Sequence, residues 1–261
     1  MYSKKAYAKV NIFLKIANKR DNYHEIVSRF CRVHSLYDIV KFEKSNPNKF
    51  SLKGEFGCEL KSNTIYKVYE ILIQSYPEVE EFFKIYSVEV EKNIPEFAGL
   101  GGGSSDAATF LLMCNEYIGL NLSKNSLANI GAKVGADVPF FVYEYDSANV
   151  TGIGEIVEKF EEDILDITVY TPDIKCDTKK IFTIFREKYY KQISNDEKVS
   201  LLRMKSINIF NTYNIEYAND LYLSAIDLNQ ELRKVTQKKD YENYFFSGSG
   251  SSFFKINSKE T

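Results

Sequence analysis

Residues 95–105 read Pro95, Glu96, Phe97, Ala98, Gly99, Leu100, Gly101, Gly102, Gly103, Ser104, Ser105, so that four glycines within five residues run into two serines and then an apolar helical pattern. Glycine tolerates φ > 0, which lets successive backbone N–H groups point into one concavity, and a helix beginning at Ser104 or Ser105 would add the positive end of its dipole. The chemistry this suits is the binding of an anion, a phosphate above all. The plain alternative is a turn leading into a helix. The segment lacks the lysine of the Walker-type phosphate loop, and its glycines supply no third position of G-x-G-x-x-G, so neither of those motifs applies.

Other residues become interesting only in combination. Lys9 and Asn11 stand two apart in an alternating segment, so a strand there puts both on one face, able to reach one ligand. Asp137 leads into Val138, Pro139, Phe140 and Phe141; a carboxylate in such company is partly desolvated and calls for a cation or a ligand, with Lys9 a candidate partner. It reads equally as the cap of a turn. His24 suits a hydrogen-bonded structural residue, Tyr23 a packed ring, Lys92 a solvated lysine, and Gly248 with Gly250 a hairpin turn, when each is taken alone.

The elements that must position these groups follow from periodicity. Residues 6–16 alternate as a half-buried strand, with Val10, Ile12, Leu14 and Ile16 inside and Lys9, Asn11, Phe13 and Lys15 on the exposed face. Residues 23–33 and 38–43 read as two more strands. A helix is expected from Asn63 onward, a strand over 86–90, a helix after the glycine segment, and another over 123–134 with Ser123 as its cap. The apolar run after Asp137 reads as a strand. Beyond Asp146, where a domain boundary is placed, short strands surround Val150, Ile156 and residues 167–170, and helices are expected over 178–190, 196–204 and 219–238. The final apolar runs flank a Gly/Ser turn as strand, tight turn, strand.

With 261 residues the chain suffices for two domains, 1–145 and 146–261. Its 34 basic and 36 acidic residues leave a net charge of −2, which steers it toward neither nucleic acid nor anionic membrane. No apolar run approaches the roughly 18 residues of a membrane span, and the start has no apolar core of a signal peptide, so a cytoplasmic location is expected. Cys31, Cys58, Cys114 and Cys176 are scattered, and with only two histidines beside them they read as reduced packing residues rather than a metal site or disulfide frame.

Taken in order, the segments 8–16, 21–26, 95–108, 135–142, 148–155, Asn219-Asp220-Leu221 and 247–254 resemble the GHMP kinase superfamily of small-molecule kinases. Within it, the resemblance is greatest to the branch acting in the non-mevalonate isoprenoid pathway on a cytidine diphosphate substrate. It implies an α+β fold in two parts, an N-terminal half like the second domain of ribosomal protein S5 and a ferredoxin-like C-terminal half, acting as a monomer or weak homodimer. It implies Lys9 and Asp137 as a catalytic pair, residues 95–105 around the triphosphate of ATP, Asn63 and Lys92 near the adenosine, and Asn11, Tyr23, His24 and Phe182 around the cytidine substrate. Tyr23 would stack on cytosine, His24 would hydrogen-bond it, and Phe182 would form the opposite wall. Mg²⁺ is implied as a companion of ATP, its protein ligands unassigned, with Ser105 a candidate. Phe97 departs from the resemblance, standing where the motif usually carries glycine. A different alcohol substrate within the superfamily, or a silent ATP-binding protein on the same fold, are the rival readings.

Overall fold

The structure, a computed structural model, describes residues 2–20, 23–237 and 243–257. Strands β1 (Tyr2–Arg20) and β2 (Tyr23–Lys44) pair with each other and run for 19 and 22 residues, several times the usual length of about five or six. The two strands expected within 23–43 are one because nothing punctuates them: no Gly or Pro falls between Tyr23 and Lys44, and Val27, Phe30, Val33, Val40 and Phe42 are buried along its length. Over residues 9–15 the exposed face expected of β1 is absent. Lys9, Asn11, Phe13 and Lys15 are as buried as Val10, Ile12, Leu14 and Ile16, and the polar members are held by specific partners.

The chain gathers into two units, one of Met1–Ala8, Leu36–Glu96 and Gly101–Glu144, the other of Lys9–Ser35, Phe97–Leu100 and Tyr145–Thr261. It passes between them within β1, within β2, on either side of residues 97–100 and again between Glu144 and Tyr145, the last crossing lying beside the single boundary that the sequence alone suggested near Asp146.

In the first unit β3 (Leu52–Lys53) runs parallel to β4 (Tyr86–Glu91), which pairs antiparallel with the later part of β2, Ile39 opposite Glu91 and Lys44 opposite Tyr86. Among the described residues five α-helices accompany them: α1 (Thr64–Ile73), α2 (Pro77–Phe83), α3 (Gly102–Cys114), α4 (Lys124–Ala132) and α5 (Val138–Tyr143). Phe42, Phe83 and Phe110 are fully buried and meet edge-on or stacked at 5.2–5.7 Å between ring centroids, an arrangement aromatic quadrupoles favour. The run after Asp137 is the helix α5, not a strand: a short apolar stretch buried on all sides carries no decisive period, and Pro139 near its start suits a first turn. Helix α3 begins at Gly102, ahead of the serines where a start was expected.

In the second unit the early part of β2 pairs antiparallel with β5 (Ser147–Thr151), Ser28 opposite Val150 and Cys31 opposite Ser147, and β5 pairs with β6 (Ile156–Lys159). A separate antiparallel sheet has the order β7 (Ile167–Tyr170), β9 (Phe253–Ile256), β8 (Phe245–Phe246). Among the described residues six α-helices follow β7: α6 (Thr178–Ile184), α7 (Asn195–Arg203), α8 (Ser206–Thr212), α9 (Ile215–Ala218), α10 (Tyr222–Leu228) and α11 (Glu231–Thr236). The single helix expected over 219–238 is broken at Asn229, whose side chain accepts from the Glu231 N–H at 3.2 Å and starts α11 afresh; Lys238 lies outside the described residues.

Arg29 of β2 is fully buried and organises the chain around it. It donates to Asn149 Oδ1 at 2.6 Å and to the Leu202 carbonyl at 3.0 Å, and it stacks on Phe160 with its guanidinium carbon 3.3 Å from the ring centroid. Burial brings its pKa down to about 10 against the opposing pull of Glu162. Cys31, Cys114 and Cys176 are buried free thiols, while Cys58 is exposed and so is no packing residue. No helix among the described residues is long and apolar enough to cross a membrane.

Candidate active site

The glycine segment alternates in hand. Phe97, Gly99 and Gly101 have φ of 57°, 76° and 71°, and the residues between them do not share that sign. Alternation of left- and right-handed residues turns successive N–H groups into one concavity. The carbonyls meanwhile face the protein. Ser252 N–H donates to Ala98 O at 3.1 Å, Lys9 Nζ and Ser247 Oγ both donate to Gly99 O at 3.0 Å, Lys9 N–H donates to Leu100 O at 2.9 Å, and Ser105 N–H donates to Gly101 O at 2.9 Å. A loop whose four carbonyls from Ala98 to Gly101 are taken up in this way presents donors, which is what an anion needs. Gly99 also has no room for a side chain, since a Cβ there would lie 2.2 Å from the Ser247 carbonyl oxygen. Phe97 holds a backbone conformation that glycine adopts freely, and the residue is 57% exposed. Glu96 points elsewhere, its carboxylate accepting from the Gly57 N–H at 2.8 Å.

Lys9 is held in place from its own strand. Besides Gly99 O, its ammonium donates to Asn11 Oδ1 at 2.8 Å and lies 4.6 Å from the centroid of Phe30. Asn11 Nδ2 donates to Ser28 Oγ at 2.9 Å, and Ser28 in turn donates to the Phe13 carbonyl. This relay fixes which end of the Asn11 amide meets Lys9. Ser28 is therefore a positioning residue that a strand of ordinary appearance gave no reason to single out. Asn219 acts on the other side: its Nδ2 donates to Phe246 O and Gly248 O, both at 2.9 Å, and so shapes the segment whose Ser247 and Ser252 hold the glycine loop. Asp220 accepts from Ile16 N–H at 2.8 Å and pairs with Lys15 at 2.7 Å, tying the same motif to β1.

In the first unit Asp137 occupies the N-cap position of α5. Two residues earlier, a Cβ on Gly135 would stand 3.6 Å from Ser104 Oγ, so the approach to Asp137 lies against the first turn of α3. Asn63 caps α1 by accepting from the Ile65 N–H at 2.9 Å, and its neighbour Thr64 donates to Gly103 O at 2.6 Å, joining the starts of α1 and α3. Lys92 bridges Asp38 and Asp106. Burial alone would lower the Lys92 pKa, yet the two carboxylates hold it above its ordinary value. Ser105 is buried within α3.

Of the residues linked to the cytidine substrate, His24 and Phe182 lie together with rings stacked at 5.0 Å and 25°. Phe182 thus faces His24. Tyr23 contributes backbone to β2, and its side chain lies outside the described residues, as do Asp21 and Asn22.

Residues 63–145 match the GHMP kinases N terminal domain. Over 98% of the chain it is 52% identical to the 4-diphosphocytidyl-2-C-methyl-D-erythritol kinase of Sulfurimonas denitrificans, covering 97% of that protein, and 45% identical to the protein of the same name from Sulfurovum sp., covering 99% of it. Among solved structures, a 4-(cytidine 5'-diphospho)-2C-methyl-D-erythritol kinase matches 98% of the chain with 90% of its own length covered, a TM-score of 0.75 and 27% identity. A mevalonate kinase at 13% identity and a TM-score of 0.63, covering 100% of the chain and 92% of its own, shares the fold. The two-part α+β fold, the glycine cradle and identity over nearly the whole length agree: the chain belongs to the 4-diphosphocytidyl-2-C-methyl-D-erythritol kinases of the GHMP family and is a small-molecule kinase.

Proposed function

We propose that the protein transfers the γ-phosphoryl group of ATP to the 2-hydroxyl of 4-diphosphocytidyl-2-C-methyl-D-erythritol, with Lys9 and Asp137 as the catalytic pair. The observation that supports ATP as the donor most strongly is the glycine loop, whose carbonyls from Ala98 to Gly101 all accept from protein donors. Residues 95–105 take the triphosphate, Asn63 and Lys92 serve the nucleotide side, and Asn11, Tyr23, His24 and Phe182 serve the cytidine substrate. Residues 1–145 form the nucleotide-binding domain and 146–261 the second, and the protein works in the cytoplasm.

Phosphoryl transfer requires a protein chiefly to position the reactants and offset charge. Asp137 accepts the proton of the substrate hydroxyl as its oxygen attacks the γ-phosphorus and ADP departs. Lys9, its ammonium fixed by Asn11 and Gly99, offsets charge on the reacting oxygens. Mg²⁺ bound with ATP supplies further neutralisation of the phosphates. Among the described residues there is no cluster of three or more His, Cys, Asp or Glu that could hold a metal; Ser105 is the residue of the glycine segment that would serve as a protein ligand to Mg²⁺.

The test is a panel of alcohols incubated with purified protein, ATP and Mg²⁺, followed by phosphorus NMR. ADP and a new phosphate monoester are expected with the cytidine substrate and not with mevalonate, galactose or homoserine. Efficient turnover of one of those three would replace the substrate, and ATP binding without turnover of any alcohol would leave a silent binder.

A further inference from the structure

One buried cluster in the first unit surrounds Lys92 with two carboxylates, Asp38 and Asp106, to which the mechanism above gives no part. Lys92 lies one residue beyond the end of β4, Asp38 on β2 and Asp106 in the second turn of α3. All three are largely or wholly buried. Lys92 Nζ donates to Asp38 Oδ2 and, at 2.7 Å, to Asp106 Oδ2. Asp38 Oδ1 also accepts from the backbone N–H of Asn93 at 2.5 Å and of Ile94 at 2.8 Å.

Residues 93–94 are where the chain turns into the glycine segment, and Asp106 follows immediately after it. Asp38 therefore fixes the beginning of the segment, Asp106 its end, and one ammonium joins them. Stability alone accounts poorly for the arrangement. Buried ion pairs are often no more stabilising than apolar side chains of similar size. Asp106 adds a cost of its own, because its Oδ1 is buried without a hydrogen-bond partner and burial pushes its carboxyl up to about 7 in spite of Lys92.

We propose that Asp106 and Asp38, acting through Lys92, are positioning residues for ATP: they set the separation of the two ends of the phosphate loop and thereby the aim of its N–H groups. The proposal rests on the kinase reading above. It assigns Lys92 a task within the protein, distinct from direct contact with adenosine.

The experiment compares Asp106→Leu and Asp106→Ser, which cut the link, with Asp106→Asn, whose amide oxygen still accepts from Lys92. Thermal melts establish folding, steady-state kinetics separate the ATP and cytidine-substrate constants, and calorimetry measures a non-hydrolysable ATP analogue. In the cut variants KM for ATP is expected to rise by about fivefold or more, while KM for the cytidine substrate stays within about twofold and kcat at saturating ATP within about threefold. Asp106→Asn should keep the wild-type ATP constant within about twofold. A purely structural role would lower the melting temperature without moving the ATP constant. An unchanged ATP constant in a folded cut variant, or an Asp106→Asn protein as defective as Asp106→Leu, overturns the proposal. If the leucine variant does not fold, the serine variant decides. If the wild type phosphorylates none of the alcohols, the kinase reading fails by itself, and analogue affinity across the same variants still decides this one.

Discussion

Gly99→Ala probes the site at the point where two backbones come closest. At φ of 76° an L side chain carries a conformational cost of roughly 1–2 kcal/mol. That cost can be separated from the clash, because Gly119 has φ of 84° with nothing within 4 Å of an added Cβ. Gly119→Ala is thus a control for strain. At Gly99 the new Cβ would stand 2.2 Å from Ser247 O, where ordinary contact begins at 3.4 Å, so the two segments must part by about 1 Å. Gly99 O, the carbonyl that accepts from Lys9 Nζ, moves with its segment. A misplacement of about 1 Å in reacting groups costs on the order of 10²-fold, so kcat for Gly99→Ala is expected to fall about 10- to 100-fold. Both variants should lose roughly 2–8 °C in Tm, at about 2–4 °C per kcal/mol for a chain of this size. The assay is coupled ADP release at saturating substrates, with melts in parallel. Turnover by Gly99→Ala within about threefold of Gly119→Ala would show that the contact with Ser247 does not place Lys9.

Asp137→Asn should reduce turnover by about 10²-fold or more while calorimetric binding of an ATP analogue stays near wild type; near-normal turnover would remove Asp137 as the base. Tyr23→Ala and Phe182→Ala should each raise KM for the cytidine substrate by about tenfold, the scale of roughly 1–3 kcal/mol per stacked base, and leave KM for ATP unchanged; a pair of variants indistinguishable from wild type would dissociate these rings from cytosine. Asp106 carries a folded-state pKa of about 7 against an ordinary 3.8. The folded protein therefore holds a proton there that the unfolded chain has lost, and stability from this group is full below about pH 4 and falls as pH rises through 7. Asp106→Asn lacks that loss, so its Tm advantage over wild type should be larger at pH 8 than at pH 5, and an advantage that shrinks with rising pH would contradict the assignment.

What sequence disclosed, and what it withheld, divides along local and non-local lines. The glycine segment was legible because its chemistry lies in consecutive residues, and the β1 alternation because period 2 is a property of neighbours. The burial of Lys9 and Asn11 was not, since what covers that face comes from segments near 28, 99 and 247. Val138–Tyr143 misled because six apolar residues fit a strand as well as a buried helix, and only its packing against α3 and α4 decides. Asp38 and Asp106 stand 54 and 14 residues from Lys92, with no spacing to reveal them. Ser28 and Arg29 sit in an unremarkable stretch of strand, and their partners lie up to 177 residues away. Asn219 was noticed only as part of a motif; its work, two bonds to carbonyls in 246–248, is tertiary.

Phe97 has a consequence for the entropy of the loop. At the other two left-handed positions, Gly99 and Gly101, the backbone explores both hands at little cost whenever packing relaxes. Phenylalanine has far fewer alternatives, so it narrows the conformations open to the chain before folding as well as after. In the folded state it is disfavoured by its handedness, and the two effects oppose one another. Phe97→Gly would accordingly leave stability nearly balanced while loosening the start of the cradle. Part of the ordering that a bound anion would otherwise have to impose is thus already complete when folding ends, and any ligand of this loop would meet a segment with less freedom left to lose.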